Sequence, residues 1–148
     1  IRCVEQLVEI AEATESFKGL GFSKQLNKTH DKHHLAATAV DLAESLGAEG
    51  IVVITRRGYM ADFVTNCRPK GARIFAFTND SQTRRRLTLN RNLSAFRTAF
   101  STDPEKTLQI AFDVLKTRVG LSEGAKVVVI SGILAGSGID AIQIRTLT

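Results

Sequence analysis

The chain has 148 residues, 43% of them apolar and 24% charged, enough for one ordinary domain with a core, which excludes a disordered tail. With 11 Gly and 2 Pro it is neither collagen-like nor of low complexity, and no apolar run reaches the ~18 residues of a membrane span. Twenty Lys and Arg against 15 Asp and Glu give +5, a balance that suits anionic partners, while 2 Cys are too few for a disulfide framework or a zinc cluster and fit a reducing, cytoplasmic setting.

Residues 1–16 carry Val4, Leu7, Val8 and Ala11 at helical spacing, opposite Glu5, Glu9 and Glu12, and predict an amphipathic helix. A start at Ile1 directly in a helical pattern is expected of a piece of a longer chain. Residues 18–32 are polar, hold Gly19 and Gly21, and read as a connector with a short turn near residues 23–27. Asp31 is an expected N-cap for a helix to Leu46, with Leu35, Thr38, Ala39, Leu42 and Leu46 on its buried face and Gly47 as its stop. The period then changes. Residues 50–54, GIVVI, are a continuous β-branched run of the kind that marks a strand covered on both faces. A loop over residues 55–58 leads to a helix over 60–66, ended by Pro69 and Gly71.

Residues 73–77 predict a second buried strand, and Asp80 or Ser81 caps a helix to Leu89. Residues 93–100 predict a third strand. Asp103-Pro104 starts a helix whose stripe is Leu108, Ala111, Phe112, Leu115 and Val119, with Gly120 at its end. Residues 126–131 predict a fourth strand, residues 132–140 a glycine-bearing loop, and residues 141–147 a fifth strand. Alternating strands and helices argue an open, mainly parallel α/β sheet with helices on both faces. The last connection holds no helix and is shorter than the ten or so residues of a parallel crossover, so the fifth strand is expected to run antiparallel.

Open α/β sheets bind ligands beyond the carboxyl ends of their strands. Three loops leave those ends. Thr55, Arg56, Arg57 and Gly58 offer a hydroxyl, two guanidinium groups, and a glycine that lets amides face an anion at a helix start. The alternative is a tight turn with two solvated arginines. Gly136, Ser137 and Gly138 in the fourth-strand loop could wrap a phosphate, although no Gly-Lys-Ser/Thr follows. A flexible connection is the alternative there. The third loop, Thr78-Asn79-Asp80, is read first as a helix cap.

The remaining candidates carry less. His30, His33 and His34 lie near Asp31 without a further metal ligand and read as solvated. Cys67, beside Arg68, has no general base in view and reads as a buried small residue. The run Arg84-Arg85-Arg86 suggests nucleic acid, but 6% aromatics, a single Tyr and no Trp argue against it. No nucleophile–base–orienter set can be written.

Residues 36–147 resemble the C-terminal domain of pyruvate kinase. The resemblance rests on AVDLAESLGAEGIVVITRRG at 39–58, CRPKGARIFAFT at 67–78, NDSQTRRR at 79–86, and the pattern G..V.V.SG…GSG across 124–138. Residues 1–15 resemble the last helix of that enzyme's catalytic barrel. The resemblance divides the chain into a barrel-helix remnant, 1–17, and a regulatory and assembly domain, 18–148.

It implies a three-layer α/β/α fold with a five-stranded sheet of order 3-2-1-4-5, strand five antiparallel. It implies a part of the enzyme that makes pyruvate and ATP from phosphoenolpyruvate and ADP, with magnesium and potassium used by the full enzyme and none held here. The part alone would be catalytically inert. A phosphorylated effector would bind between the first and fourth loops, at Thr55, Arg56, Arg57, Gly58, Gly132, Gly136, Ser137 and Gly138. Other partners would be the barrel of the same chain and, through the helix near 33–46 and the last strand, the other subunits of a tetramer. Neither nucleic acid nor membrane is implied. The family's first loop often reads T-x-S-G-x-S/T. Here Arg57 and Met60 stand at the two hydroxyl positions. With no Trp and only a short segment before Asp103, a bisphosphate is not expected; a sugar or nucleoside monophosphate, or no effector, stays open. The alternative reading is a stand-alone phosphate-binding relative without catalysis.

Overall fold

The computed structural model describes residues 2–12, 31–132 and 140–148. In chain order these form α1 (Arg2–Glu12), α2 (Asp31–Leu46), β1 (Gly50–Ile54), α3 (Tyr59–Asn66), β2 (Arg73–Thr78), α4 (Ser81–Leu87), β3 (Leu93–Arg97), α5 (Pro104–Val114), β4 (Lys126–Ser131) and β5 (Ala141–Thr146). A π-helical turn, Leu115–Val119, extends α5 to Gly120, whose left-handed φ of 79° ends it. Of the expected connector, 18–32, residues 18–30 with its turn lie outside the described residues, as do residues 13–16 of the first predicted helix, while Asp31 and Lys32 belong to α2.

The five strands form one sheet in the order β3-β2-β1-β4-β5. The first four run parallel, and β5 pairs antiparallel with β4 from Lys126↔Thr146 to Ser131↔Ala141. Handedness places the layers. The steps β1→β2 and β2→β3 move the same way across the sheet, so right-handed crossovers put α3 and α4 on one face; the return from β3 to β4 puts α5 on the other. Strand alternation divides the core accordingly. Ile51, Val53, Ile74, Ala76, Val128 and Ile130 pack with α2, α3 and Leu87. Val52, Ile54, Phe75, Phe77, Val127 and Val129 pack with Leu108, Ala111, Phe112 and Leu115 of the α5 side. β1 is buried along its whole length, as a strand covered on both faces must be.

Some local expectations shift. The predicted face of α2 is wrong in part: Ala36, Ala37, Ala39, Val40 and Ala43 are buried, Leu35 and Leu42 are half-buried, and Thr38 and Leu46 are exposed. Small side chains let this helix approach the sheet and α3 closely, so the alanines face inward. Asp31 lies in the first turn of α2 rather than before it. At its end a glycine, Gly47, takes φ 61°, and the Ala48 amide donates to the Ala43 carbonyl at 2.9 Å. α3 ends at Asn66, with Arg68 in the left-handed region at φ 48°, ahead of Pro69. α4 stops at Leu87 rather than Leu89, and β3 at Arg97 rather than residue 100. On α1 the apolar side is exposed: Val4 62%, Leu7 63% and Ile10 68%.

Candidate functional site

Three parallel strands finish in buried hydroxyls. Thr55 just past β1 is 8% exposed, Thr78 at the end of β2 is 0%, and Ser131 at the end of β4 is 2%. Ile54 pairs with both Phe77 and Ser131, so the three hydroxyl residues share one edge. Because β1 lies between β2 and β4, the loops leaving β1 and β4 start side by side where strand order reverses.

The β1–α3 loop is tightly held. Its first amide, Thr55, donates to the Phe77 carbonyl at 2.9 Å and continues the ladder one residue past β1. Thr55 Oγ1 then accepts from the Gly58 amide at 2.9 Å. Gly58 caps α3 with φ 84°, a conformation that favours glycine. The Thr78 hydroxyl donates to the Arg56 carbonyl at 3.1 Å and accepts from the Asp80 amide at 3.2 Å. Arg86 Nη2 donates to the Arg57 carbonyl at 2.8 Å, and its Nη1 reaches Asp62 Oδ2 at 2.8 Å. Asn90 Nδ2 holds the other oxygen of Asp62 at 2.7 Å.

This geometry sorts the expected site residues. Thr55 and Gly58 satisfy each other, so neither the hydroxyl lone pair used nor the Gly58 amide is open to a ligand. The side chains of Arg56 and Arg57 are exposed. Among the described residues, the amides of Arg57, Tyr59, Met60 and Ala61 have no acceptor, as the first turn of a helix dictates for the last three. The Met60 side chain is buried in the core. Gly132 is exposed, and a Cβ there would collide with the Asp140 carboxylate, which therefore rests against Gly132. Gly136, Ser137 and Gly138 lie outside the described residues.

The third loop is a helix cap. Asp80 Oδ2 accepts the Thr83 amide at 2.7 Å, and that bond holds the Asp80 carboxyl below its ordinary value. His33 stands edge-on to Phe63 at 4.2 Å, His34 is exposed, and His30 lies outside the described residues. Cys67 is buried. The residues that sequence reasoning missed are Ser131, Asp62 and Asn90, together with the separate role of Arg86 in its arginine run. No spacing signals them, because α3 and α4 meet only through the fold.

Amides without an acceptor among the described residues, in a loop with two exposed guanidinium groups, can hold a small anion by charge-assisted hydrogen bonds.

Comparison with known proteins bears on the same residues. A family model described as pyruvate kinase, alpha/beta domain, matches residues 33–144. Pyruvate kinase isozyme A, chloroplastic, of Ricinus communis is 38% identical over 97 residues, which cover 66% of this chain and 16% of that protein. Plastidial pyruvate kinase 2 of Arabidopsis thaliana is 30% identical over 106 residues, 72% of this chain and 18% of that protein. The solved Cryptosporidium parvum pyruvate kinase in complex with ADP superposes with a TM-score of 0.75 at 19% identity, covering 84% of this chain and 25% of that one, and speaks for the fold. The chain spans less than a quarter of the length of the curated relatives it matches. From its sheet order and from the family match across residues 33–144, the chain belongs to the pyruvate kinase alpha/beta domain family.

Proposed function

We propose that this chain is the C-terminal regulatory and oligomerisation domain of a pyruvate kinase, the phosphotransferase acting on phosphoenolpyruvate and ADP. A phosphorylated small molecule binds at the loops after β1 and β4. One observation carries this reading: the amides of Arg57, Tyr59 and Met60, which have no acceptor among the described residues, adjoin two exposed arginines in the loop that leaves β1 at the switch point of the sheet. Arg56, Arg57 and the first-turn amides supply donors, Thr55 and Gly58 shape the turn, and Gly132, Gly136, Ser137 and Gly138 belong to the loop after β4. Regulation follows from differential binding: a ligand held better in the active assembly shifts the population toward it.

Residues 18–148 make up this domain, and residues 1–17 are the end of the preceding barrel. The exposed Val4, Leu7 and Ile10 of α1 support that division, since a helix with this apolar stripe needs a cover. They also favour the barrel as a same-chain partner over a stand-alone phosphate binder. α2 and β5 are the proposed contacts with other subunits of a tetramer. The domain itself is proposed to be catalytically inactive, the chemistry residing in the rest of the enzyme. Magnesium and potassium are proposed for the full enzyme and neither is assigned to this chain; among the described residues no three His, Cys, Asp or Glu side chains come together. The proposed setting is reducing, cytoplasmic or plastidial as in the named plant relatives, with neither nucleic acid nor membrane as partner.

The test is thermal melting of the chain against phosphorylated sugars and nucleotides, with the unphosphorylated parents as controls. A ligand at 100 times its Kd adds about 2.7 kcal/mol. For a chain of this length that raises Tm on the order of 5–10 °C. A shift with a phosphate ester and none with its parent supports the reading; equal shifts, or none, contradict it.

A further inference from the structure

Arg84, Arg85 and Arg86 look alike in the sequence but not in the fold. Arg86 spends its guanidinium on two partners at once, the Arg57 carbonyl and the Asp62 carboxylate, each at 2.8 Å. It lies so close to Gly58 that a Cβ there would collide with Nη2, and Leu87 and Thr83 close the same corner at 3.1 Å from that position. Asn90 braces Asp62 from behind at 2.7 Å. α4 is thus fastened onto the β1–α3 loop by a side chain that belongs to neither β1 nor α3.

The fastening has a directional consequence. In a trans peptide the N–H points opposite to the C=O. Thr78 holds the Arg56 carbonyl and Arg86 holds the Arg57 carbonyl, both from the β2–α4 side. The two peptide planes of the loop are therefore set. The Arg57 amide is turned away from β2, and the Gly58 amide is turned onto Thr55 Oγ1. A bidentate guanidinium can set a plane in this way, because its fork fixes two acceptors relative to each other.

We propose that Arg86 is a positioning residue for anion binding: by clamping the Arg57 carbonyl to Asp62 it keeps the Gly58 amide on Thr55 Oγ1. This holds the turn in which the Arg57 amide, its own plane set by Thr78, and the first-turn amides of α3 meet the anion, without Arg86 contacting it. The proposal rests on the reading of that loop as the phosphate site. It assigns different roles to neighbouring arginines. Arg57 meets the ligand, Arg86 sets the backbone, and Arg85, exposed on the same helix, contributes only charge.

The experiment compares wild type, Arg86→Ala, Arg86→Lys and Arg85→Ala in the 148-residue chain. Inorganic phosphate is the probe for calorimetric titration, and hydrogen exchange of the Gly58 amide is read by NMR without any ligand. Arg86→Lys keeps the charge and loses the fork; Arg85→Ala removes a charge and leaves the clamp. With the clamp lost, phosphate affinity falls roughly tenfold, the scale of a charge-assisted hydrogen bond, in both Arg86 variants and by less than twofold in Arg85→Ala. Gly58 exchange quickens on the order of tenfold in the same two variants only. If Arg86→Lys binds phosphate and protects Gly58 like wild type, or if Arg85→Ala matches Arg86→Ala, the role of Arg86 is charge and the proposal is overturned. If wild type binds no phosphate, the anion-site reading fails; Gly58 exchange then shows separately whether the clamp exists.

Discussion

Thr55 Oγ1 accepts the Gly58 amide at 2.9 Å in a buried corner, and this bond closes the loop leaving β1. A threonine at the end of a buried strand is therefore a structural acceptor first. Thr55→Val keeps the shape and leaves the Gly58 amide unpaired, at a cost of about 1–3 kcal/mol. Thr55→Ser restores the acceptor and recovers most of that loss. Urea denaturation of the three proteins checks the order; a valine variant as stable as wild type contradicts it.

Gly58 and Gly124 have nearly the same φ, 84° and 86°, but different surroundings. Nothing lies within 4 Å of a Cβ built at Gly124, whereas one at Gly58 meets Arg86, Leu87 and Thr83. Gly124→Ala carries the left-handed strain alone, on the order of 1 kcal/mol. Gly58→Ala adds displacement of the Arg86 clamp and is expected to lose about 1–2 kcal/mol more. Denaturation midpoints of the two variants decide this, and equal losses would mean that the clamp contributes nothing to stability.

Asp80 accepts the Thr83 amide and so caps α4 best as the carboxylate. Its folded pKa lies below the ordinary 3.8, so the capping contribution is whole above that value and is lost as pH falls through the folded pKa. Asp80→Ala is therefore less stable than wild type at neutral pH, and the gap narrows below the ordinary carboxylate range. Melting curves from neutral to acid pH check it; a gap that widens in acid would contradict the cap.

The exposed stripe of α1 gives a different kind of prediction. Leu7 is 63% exposed, so Leu7→Glu should change the stability of this chain by no more than about 0.5 kcal/mol. A loss well above 1 kcal/mol by denaturation would mean that α1 packs on the domain itself.

The chain's physics made some of this legible and hid the rest. The run GIVVI at 50–54 announces a doubly covered strand because only such a strand can bury every side chain, and β1 is buried throughout. The connection before β5 is too short in sequence for a parallel crossover, which predicts an antiparallel return, as found. The order β3-β2-β1-β4-β5 came from family resemblance, since periodicity carries no information about which strands are neighbours. On α2, hydropathy favours Leu35, Leu42 and Leu46, yet close packing prefers Ala36, Ala39 and Ala43. At the site, Thr55 and Gly58 could be named from loop chemistry. Arg86 and Asp62 stand 24 positions apart and meet only after α3 and α4 pack, so their ion pair leaves no local mark.

The most direct test is an amide chemical-shift map of the 15N-labelled chain titrated with the phosphate ester that raises its melting temperature. The largest shifts are expected on Arg57, Tyr59, Met60 and Gly132, with the Gly58 amide still protected by Thr55. Shifts centred on Arg84 and Arg85, or spread along α4 without the β1–α3 loop, would contradict this and place the anion elsewhere on the domain.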